Sequence, residues 1–144
     1  MGLYLDTSCL LKLFFPEPES ATVASLVVTE ERVVVSTLAY LELRVQTQGR
    51  VADGTLAARS ASALLSVVGR TLGQFPYEIA ETPSNVYSVA ASQLLPLGRS
   101  AHCRTLDRLH LATMEALGLR RLLTHDEVQA RAAEARGFEV LRPR

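Results

Sequence analysis

Short apolar segments of strand length alternate along the chain with longer segments of helical periodicity. Strands are predicted at residues 2–5, 32–36, 120–124 and 138–142, with a weaker candidate at 77–81 whose acidic residues favour an exposed or edge position. Strands separated by helices pair in parallel, and right-handed crossovers place those helices on both faces of the sheet. We therefore predict an α/β fold with a mostly parallel sheet of four strands and the first strand in the middle.

The 144 residues are expected to form one domain, 1–144, because the chain has no linker-like segment and 48% of its residues are hydrophobic. No apolar run approaches the ~20 residues of a membrane span, and no basic segment precedes the first apolar stretch. Neither a membrane segment nor a secretory signal is expected. Cys9 and Cys103 lack a metal-ligand spacing, so we interpret them as reduced helix residues of a cytoplasmic protein.

The charge balance does not indicate a nucleic-acid partner. The sequence has 15 basic and 15 acidic residues, whereas nucleic-acid-binding domains are often strongly basic. Lys12 is the single lysine, which leaves 15 minus 1, or 14, arginines. Arginine is suited to bidentate phosphate contacts, but an arginine-rich composition also has other causes.

Two acids follow predicted strands. Asp6 comes directly after the first strand, and Thr7 and Ser8 behind it are expected to cap a helix that begins at about Ser8. Asp126 follows the strand that ends at Thr124. Because aspartate often follows a strand for turn reasons alone, neither acid by itself indicates a site.

Two further acids lie on predicted helices. Glu42 aligns with Leu38 and Val45 on a helix that Thr37 can cap, which places the carboxylate at the buried side or its margin. A burial cost there requires compensation, and the alternative is a rim glutamate paired with Arg44 or another arginine.

Asp107 shares a helix face with His110, Leu111 and Met114, so it is an acid on an apolar stripe. His110 is one turn away and could act as a ligand or a base. We interpret it as a packing residue with satisfied hydrogen bonds, because that is the commoner role of a single histidine beside a core.

The predicted fold can bring these four acids to one place. If the first strand lies beside the one that ends at Thr124, Asp6 and Asp126 flank the crevice at the carboxyl ends of the strands, where Glu42 and Asp107 can also reach. Carboxylates that converge without matching lysines repel one another unless a hard cation lies among them. Oxygen ligands favour Mg²⁺ or Mn²⁺, which activate water and stabilise charge on a phosphodiester.

The same residues carry a resemblance to a known family. The chain closely resembles the PIN-domain ribonucleases, in particular the VapC-type toxins of toxin–antitoxin pairs, over nearly its whole length. The segments that carry the resemblance are YLDTSCLLKL at 4–13, LEL at 41–43, LDRLHLAT at 106–113 and LTHD at 123–126. Each motif alone is weak, whereas the four together in this order are specific.

The resemblance implies a three-layer α/β/α fold, Mg²⁺- or Mn²⁺-dependent RNA cleavage, a homodimer and an antitoxin protein that blocks the site. Two departures, Cys9 and His125, do not affect the site. The family's acidic metal ligands and catalytic residues correspond by position to Asp6, Glu42, Asp107 and Asp126, and its hydroxyl position corresponds to Thr7 or Ser8.

Other functions are less compatible with the sequence. Phosphoryl-aspartate hydrolases require a second aspartate two residues after the first, where this chain has Ser8, and no Gly-rich phosphate loop is present. A catalytically inactive PIN-fold module that binds another protein remains the alternative, which a metal titration would distinguish. Leu13, Phe14 and Phe15 are a candidate groove for an antitoxin segment, unless they pack against the helix of Val23 and Val27.

Overall fold

A computed structural model of the protein describes residues 1–95, 98 and 101–144. These residues form five strands and seven α-helices. In chain order the elements are β1 (Leu3–Leu5), α1 (Thr7–Phe14), α2 (Ser20–Val28), β2 (Val33–Ser36), α3 (Thr37–Ala52), α4 (Ala58–Leu72), β3 (Tyr77–Ala80), α5 (Val86–Ser92), α6 (Thr105–Ala116), β4 (Arg121–Leu123), α7 (Glu127–Ala135) and β5 (Glu139–Leu141).

The five strands form one parallel sheet in the order β3-β2-β1-β4-β5. Leu3 pairs with Val33 on one side and with Arg121 on the other, so β1 is the central strand and β4 is its neighbour. The predicted α/β class and central first strand are confirmed. The prediction of four strands was too low, because the weak candidate at 77–81 is a fifth strand at the edge beside β2, where its acid side chains remain exposed.

Alternating side chains of the central strands build a core on each face of the sheet. Leu3 and Leu5 of β1 pack with α1, α2, α3 and α4, whereas Tyr4 packs on the opposite face with α6 and α7. All three residues are fully buried. Helix α5 packs against α6. The result is the expected α/β/α arrangement, with β1 enclosed between two helical layers.

The buried face of α3 differs from the predicted one. Ala39, Leu43 and Thr47 face the core, whereas Leu41 is 56% exposed and Val45 is 61% exposed. The sequence pattern fits two apolar faces, and the face with the smaller residues allows the helix to lie close to the sheet. Glu42 adjoins this face and lies at its margin.

Several helix boundaries also differ. Helix α3 continues through Gly49, and α4 begins at Ala58 rather than at Asp53, whose carboxylate instead accepts a hydrogen bond from the N–H of Thr55. Helix α5 begins three residues after Pro83. Its predicted end at residue 96 and the predicted loop residues 99 and 100 lie outside the described residues.

Gly118 and Gly137 end α6 and α7 as predicted, each with a positive φ that suits glycine, 71° and 81°. Cys9 lies on α1, but Cys103 precedes α6 instead of lying within it, and both are buried free thiols. Among the described helices, none combines the length and the apolar character needed to cross a membrane.

Candidate functional site

A cavity of about 190 Å³ opens where β1 and β4 end, and all four predicted acids line it. Three of the four aspartates in the sequence therefore lie at one place, while the fourth, Asp53, is exposed after α3. The full lining comprises Asp6, Thr7, Ser8, Leu11, Glu42, Gln46, Arg104, Asp107, His110 and Asp126.

Asp6 is nearly fully buried and caps α1. Its Oδ1 accepts hydrogen bonds from the Cys9 N–H at 3.0 Å and from Ser8 Oγ at 2.7 Å, and its Oδ2 accepts one from Thr124 Oγ1 at 2.7 Å. The carboxylate, rather than the expected hydroxyl, is the cap, so the helix begins at Thr7. Burial raises the pKa of Asp6, and these hydrogen bonds offset only part of the increase.

Asp126 occupies the equivalent position after β4. Its Oδ1 accepts a hydrogen bond from the Gln129 N–H at 2.9 Å and so caps α7. Its own N–H donates to Thr124 Oγ1 at 3.0 Å. Because Thr124 also contacts Asp6, one buried hydroxyl connects the two acids that follow strands.

Glu42 is held by side chains rather than by backbone. Its Oε1 accepts a hydrogen bond from Thr7 Oγ1 at 2.9 Å and lies 2.5 Å from His110 Nε2. The alternative partner Arg44 instead lies over the Tyr40 ring. Burial raises the pKa of Glu42, but His110 and Thr7 outweigh that effect, and the net pKa is lower than usual.

His110 is 2% exposed, which agrees with its interpretation as a packing residue with satisfied hydrogen bonds. That interpretation was incomplete, because His110 also lines the acidic cavity and contacts Glu42. Its Nδ1 lies 2.6 Å from the hydroxyl of Tyr4, which was not among the predicted site residues. A tyrosine on a central strand among aliphatic residues was the available signal.

Asp107 has the least complete set of partners. Its Oδ2 is buried and has no hydrogen bond to the described residues, and Arg104 Nε lies 3.5 Å away, which is close enough for an ion pair. Burial raises the pKa of Asp107, the charge of Asp126 raises it further, and Arg104 opposes both. Burial, rather than repulsion between the acids, is the largest cause of the raised pKa values of Asp6 and Asp107.

The expected metal-sized cluster of carboxylates is not found. In residues 1–95, 98 and 101–144, no group of three or more acidic, histidine or cysteine side chains is arranged to hold a metal ion. Thr124, Gln129 and His110 hold three of the acids where they are. The donor chemistry nevertheless fits a hard cation, because the cavity offers carboxylate and hydroxyl oxygens and no described residue hydrogen-bonds to Asp107 Oδ2.

Comparison with known families decides the classification, because the family model of the PIN domain matches residues 3–135 of this chain. This chain belongs to the PIN-domain family. This chain is 32% identical to Ribonuclease VapC46 of Mycobacterium tuberculosis over 144 residues, which cover 99% of this chain and 98% of that protein. The predicted resemblance to VapC-type proteins is confirmed.

Solved structures show the same fold at low sequence identity. The crystal structure of Mycobacterium tuberculosis VapC20, described as a sarcin-ricin loop cleaving toxin, superposes on the PIN domain with a TM-score of 0.70 at 17% identity and covers 98% of this chain and 99% of that one. VapBC2 from Rickettsia felis, bound to a DNA fragment from its promoter, also gives 0.70 at 12% identity, covering 99% and 98%.

The candidate antitoxin groove of the PIN domain is smaller than expected. Phe15 is 6% exposed and lies under the Arg50 guanidinium, whose central carbon is 3.8 Å from the ring centroid. Leu13 and Phe14 are partly buried against the core that contains Val23. Phe15 is therefore a packing residue, and only Leu13 and Phe14 retain accessible surface for a partner.

Proposed function

We propose that this protein is a Mg²⁺- or Mn²⁺-dependent endoribonuclease and the toxin of a VapBC-type pair that acts in the cytoplasm. The observation that carries the proposal is the convergence of Asp6, Glu42, Asp107 and Asp126 on one cavity at the carboxyl edge of a parallel sheet. The relation to Ribonuclease VapC46 supports cleavage of RNA as the reaction.

The four acids are the proposed ligands of the cation. When bound there, Mg²⁺ or Mn²⁺ supplies Lewis-acid stabilisation of a phosphodiester and lowers the pKa of water. Hydrogen bonds from Thr124 and Ser8 favour the ionised form of Asp6 and so oppose the effect of its burial, and Thr7 keeps the Glu42 carboxylate at the cavity wall. Among the described residues Asp107 Oδ2 has an ion pair with Arg104 rather than a hydrogen bond, and a bound cation would replace that ion pair.

Arg104 is the proposed contact to the RNA backbone. Its side chain is 84% exposed at the acidic cavity, and it also lines an adjoining cavity of about 460 Å³ with Gln46, Thr105 and Leu106. A guanidinium at this position offsets the repulsion between the acids and a phosphate. The second cavity leaves room for a nucleotide next to the cleaved bond.

Cleavage of total RNA by purified protein, with mapping of the cut ends, tests the proposal. Wild type should cleave with Mg²⁺ or Mn²⁺ and not in EDTA, and Asp6→Asn should reduce the rate by a factor of about a thousand or more, because several kcal/mol of stabilisation depend on the cation. Asp53→Asn makes the same chemical change outside the cavity and should cleave like wild type.

Asp6→Asn is also expected to fold. Its new amide can donate to Thr124 Oγ1, whose own proton can go to Gln129 Oε1 at 3.0 Å. Normal cleavage by Asp6→Asn would contradict the proposed site. A folded wild type that neither cleaves RNA nor responds to Mn²⁺ would instead support the inactive protein-binding module.

An antitoxin is the proposed protein partner, in line with the pairing of VapC-type proteins in VapBC complexes. It should be encoded beside this chain, co-purify with it and abolish cleavage. Leu13 and Phe14 remain the candidate contacts. Replacement of both by serine should weaken the complex without changing RNA cleavage by the free protein.

We assign the homodimer face to an apolar surface between α3, α5 and α6. Two cavities of about 300 and 380 Å³ adjoin there and share Tyr87 and Leu109. Leu41 and Tyr87 on this surface are 56% and 73% exposed. Light scattering should give the mass of a dimer for wild type and of a monomer for Leu41→Glu. Val28→Glu, at an exposed apolar residue of α2, should remain dimeric.

A further inference from the structure

A buried series of hydrogen-bonding groups leads from the apolar core to Glu42. The Tyr4 hydroxyl lies 2.7 Å from Ser36 Oγ and 2.6 Å from His110 Nδ1, and His110 Nε2 lies 2.5 Å from Glu42 Oε1. Tyr4 and Ser36 are fully buried. The series therefore connects β1, the end of β2 and α6 to a carboxylate on α3 that faces the cavity.

The direction of each hydrogen bond follows from the number of available protons. Ser36 Oγ accepts from the Ala39 N–H, and within the described residues Tyr4 is the acceptor that its own proton can reach. Tyr4 thus accepts from Ser36 and donates to His110 Nδ1. The proton of the neutral imidazole is then on Nε2, which donates to Glu42 Oε1.

This arrangement divides the two oxygens of Glu42. Oε1 receives both Thr7 and His110, whereas Oε2 has no hydrogen-bond partner within the described part of the chain. A glutamate side chain normally loses considerable rotamer freedom when it binds a ligand. Two donors on one oxygen remove much of that freedom beforehand and leave the other oxygen for the cavity.

Packing alone does not explain the Tyr4 hydroxyl. Leu3 and Leu5 on the same strand and Val34 on the next are aliphatic and fully buried. A buried hydroxyl has an energetic cost unless it is hydrogen-bonded, and phenylalanine would fill nearly the same volume. The contact with His110 gives the hydroxyl a function at this position.

We propose that Tyr4 is a positioning residue for Glu42, which it controls by fixing His110 as the Nε2–H tautomer so that Glu42 Oε2 is presented to the cation. The inference rests on the proposed function, because it takes Glu42 as a cation ligand. Groups that orient metal ligands typically change metal affinity by about 10- to 100-fold.

Tyr4→Phe tests the proposal, with Tyr77→Phe as the matched control. Tyr77 is a half-buried strand tyrosine whose hydroxyl has no side-chain hydrogen bond to the described residues. Calorimetric titration with Mn²⁺ should give a Kd raised roughly tenfold or more in Tyr4→Phe and unchanged in Tyr77→Phe. For RNA cleavage at fixed Mn²⁺ below saturation, kcat should fall while KM for RNA remains the same.

A spectroscopic measurement reports on the histidine directly. Long-range ¹⁵N–¹H NMR of the wild type should show the Nε2–H tautomer for His110, and Tyr4→Phe should shift the ring toward a tautomer mixture. His110→Gln retains an N–H donor on a side chain directed at Glu42 and should keep more Mn²⁺ affinity than His110→Leu. A purely structural Tyr4 would lower the melting temperature in Tyr4→Phe and move none of these quantities.

Several results would overturn the proposal. They are an unchanged Mn²⁺ Kd in folded Tyr4→Phe, an Nδ1–H tautomer in wild type, or equal Mn²⁺ affinity in His110→Gln and His110→Leu. The last two need no folded Tyr4→Phe protein. A wild type that binds no Mn²⁺ would contradict the proposed function itself, whereas normal Mn²⁺ binding with any of these three results would contradict this inference alone.

Discussion

The acids that follow strands and the acids on helices are held in different ways. Asp6 and Asp126 each cap a helix through a backbone N–H, at 3.0 and 2.9 Å. Glu42 and Asp107 lie inside or near the first turns of α3 and α6 and cap nothing. Glu42 depends on His110 and Thr7, and one oxygen of Asp107 has no hydrogen bond within the part of the chain that the structure describes.

The difference shows which acids carry information about function. A strand-to-helix turn accounts for a capping aspartate without any ligand, so Asp6 and Asp126 have a structural reason to be present. No comparable reason accounts for a buried oxygen of Asp107 or for a buried histidine directed at Glu42. Glu42 and Asp107, the helix pair of acids, are therefore the stronger indication of a ligand. Asp6 and Asp126, the strand pair of acids, are easier to find in a sequence.

If one cation binds both pairs of acids, substitutions in the two pairs should have the same effect on the thermal stabilisation by Mn²⁺. At 100 times Kd the wild type should gain about 2.7 kcal/mol, or roughly 5–10 °C in Tm, following RT ln(1 + [L]/Kd). Asp6→Asn and Asp107→Asn should both lose most of that gain, while Asp53→Asn should keep it. If only one of these two variants loses the gain, the aspartate that is changed in the other variant does not bind the cation.

The capping function of the strand pair predicts a smaller effect on stability. Asp126→Ala should lower the free energy of unfolding by about 1 kcal/mol, because the Gln129 N–H loses its acceptor. Asp126→Ser keeps a capping oxygen and should recover most of that loss in urea unfolding. Both variants lack the carboxylate, so neither should recover RNA cleavage.

If Asp126→Ser is as unstable as Asp126→Ala, the cap does not explain this residue. Full cleavage by Asp126→Ser would show that the carboxylate is not a ligand. Because the two variants remove the same charge, any difference between them reports the cap alone.

The sequence predicted the parts of the site that depend on local signals. Strand segments, glycine helix ends and aspartates after strands can each be recognised within a few residues, and parallel pairing then brings Asp6 and Asp126 to one edge. The His110 contact to Glu42 could not be predicted. The two residues are 68 positions apart in the sequence, and their contact depends on how α3 and α6 lie against the sheet.

The prediction of which face of α3 is buried was wrong for a related reason. Leu38, Leu41 and Val45 suggest one apolar face, and Ala39, Leu43 and Thr47 fit another. Periodicity cannot choose between two such faces, and the choice depends on how closely each lets the helix approach its neighbours. Glu42 lies at the margin in both cases, so its position was correct although the predicted face was wrong.

The smallest expected effect concerns the helix pair and depends on pH. Burial raises the pKa of Asp107, so the folded protein binds this proton more tightly than the unfolded chain. Its ionisation therefore lowers stability as pH rises from about 3.9, the usual aspartate pKa, through the raised folded value. In EDTA, Asp107→Asn should be more stable than wild type at pH 7, by less than about 1 kcal/mol, and equal to it near pH 3.

Asp53→Asn provides a control of opposite sign. Hydrogen bonds from Thr55 lower the pKa of Asp53, so its carboxylate adds stability at pH 7 that is lost as the pH falls through the lowered value. Urea unfolding of the three proteins across this pH range separates the cases. If Asp107→Asn were destabilised at pH 7 as Asp53→Asn is, the Asp107 carboxylate would be a net stabilising group, and no ligand would be needed to account for its burial.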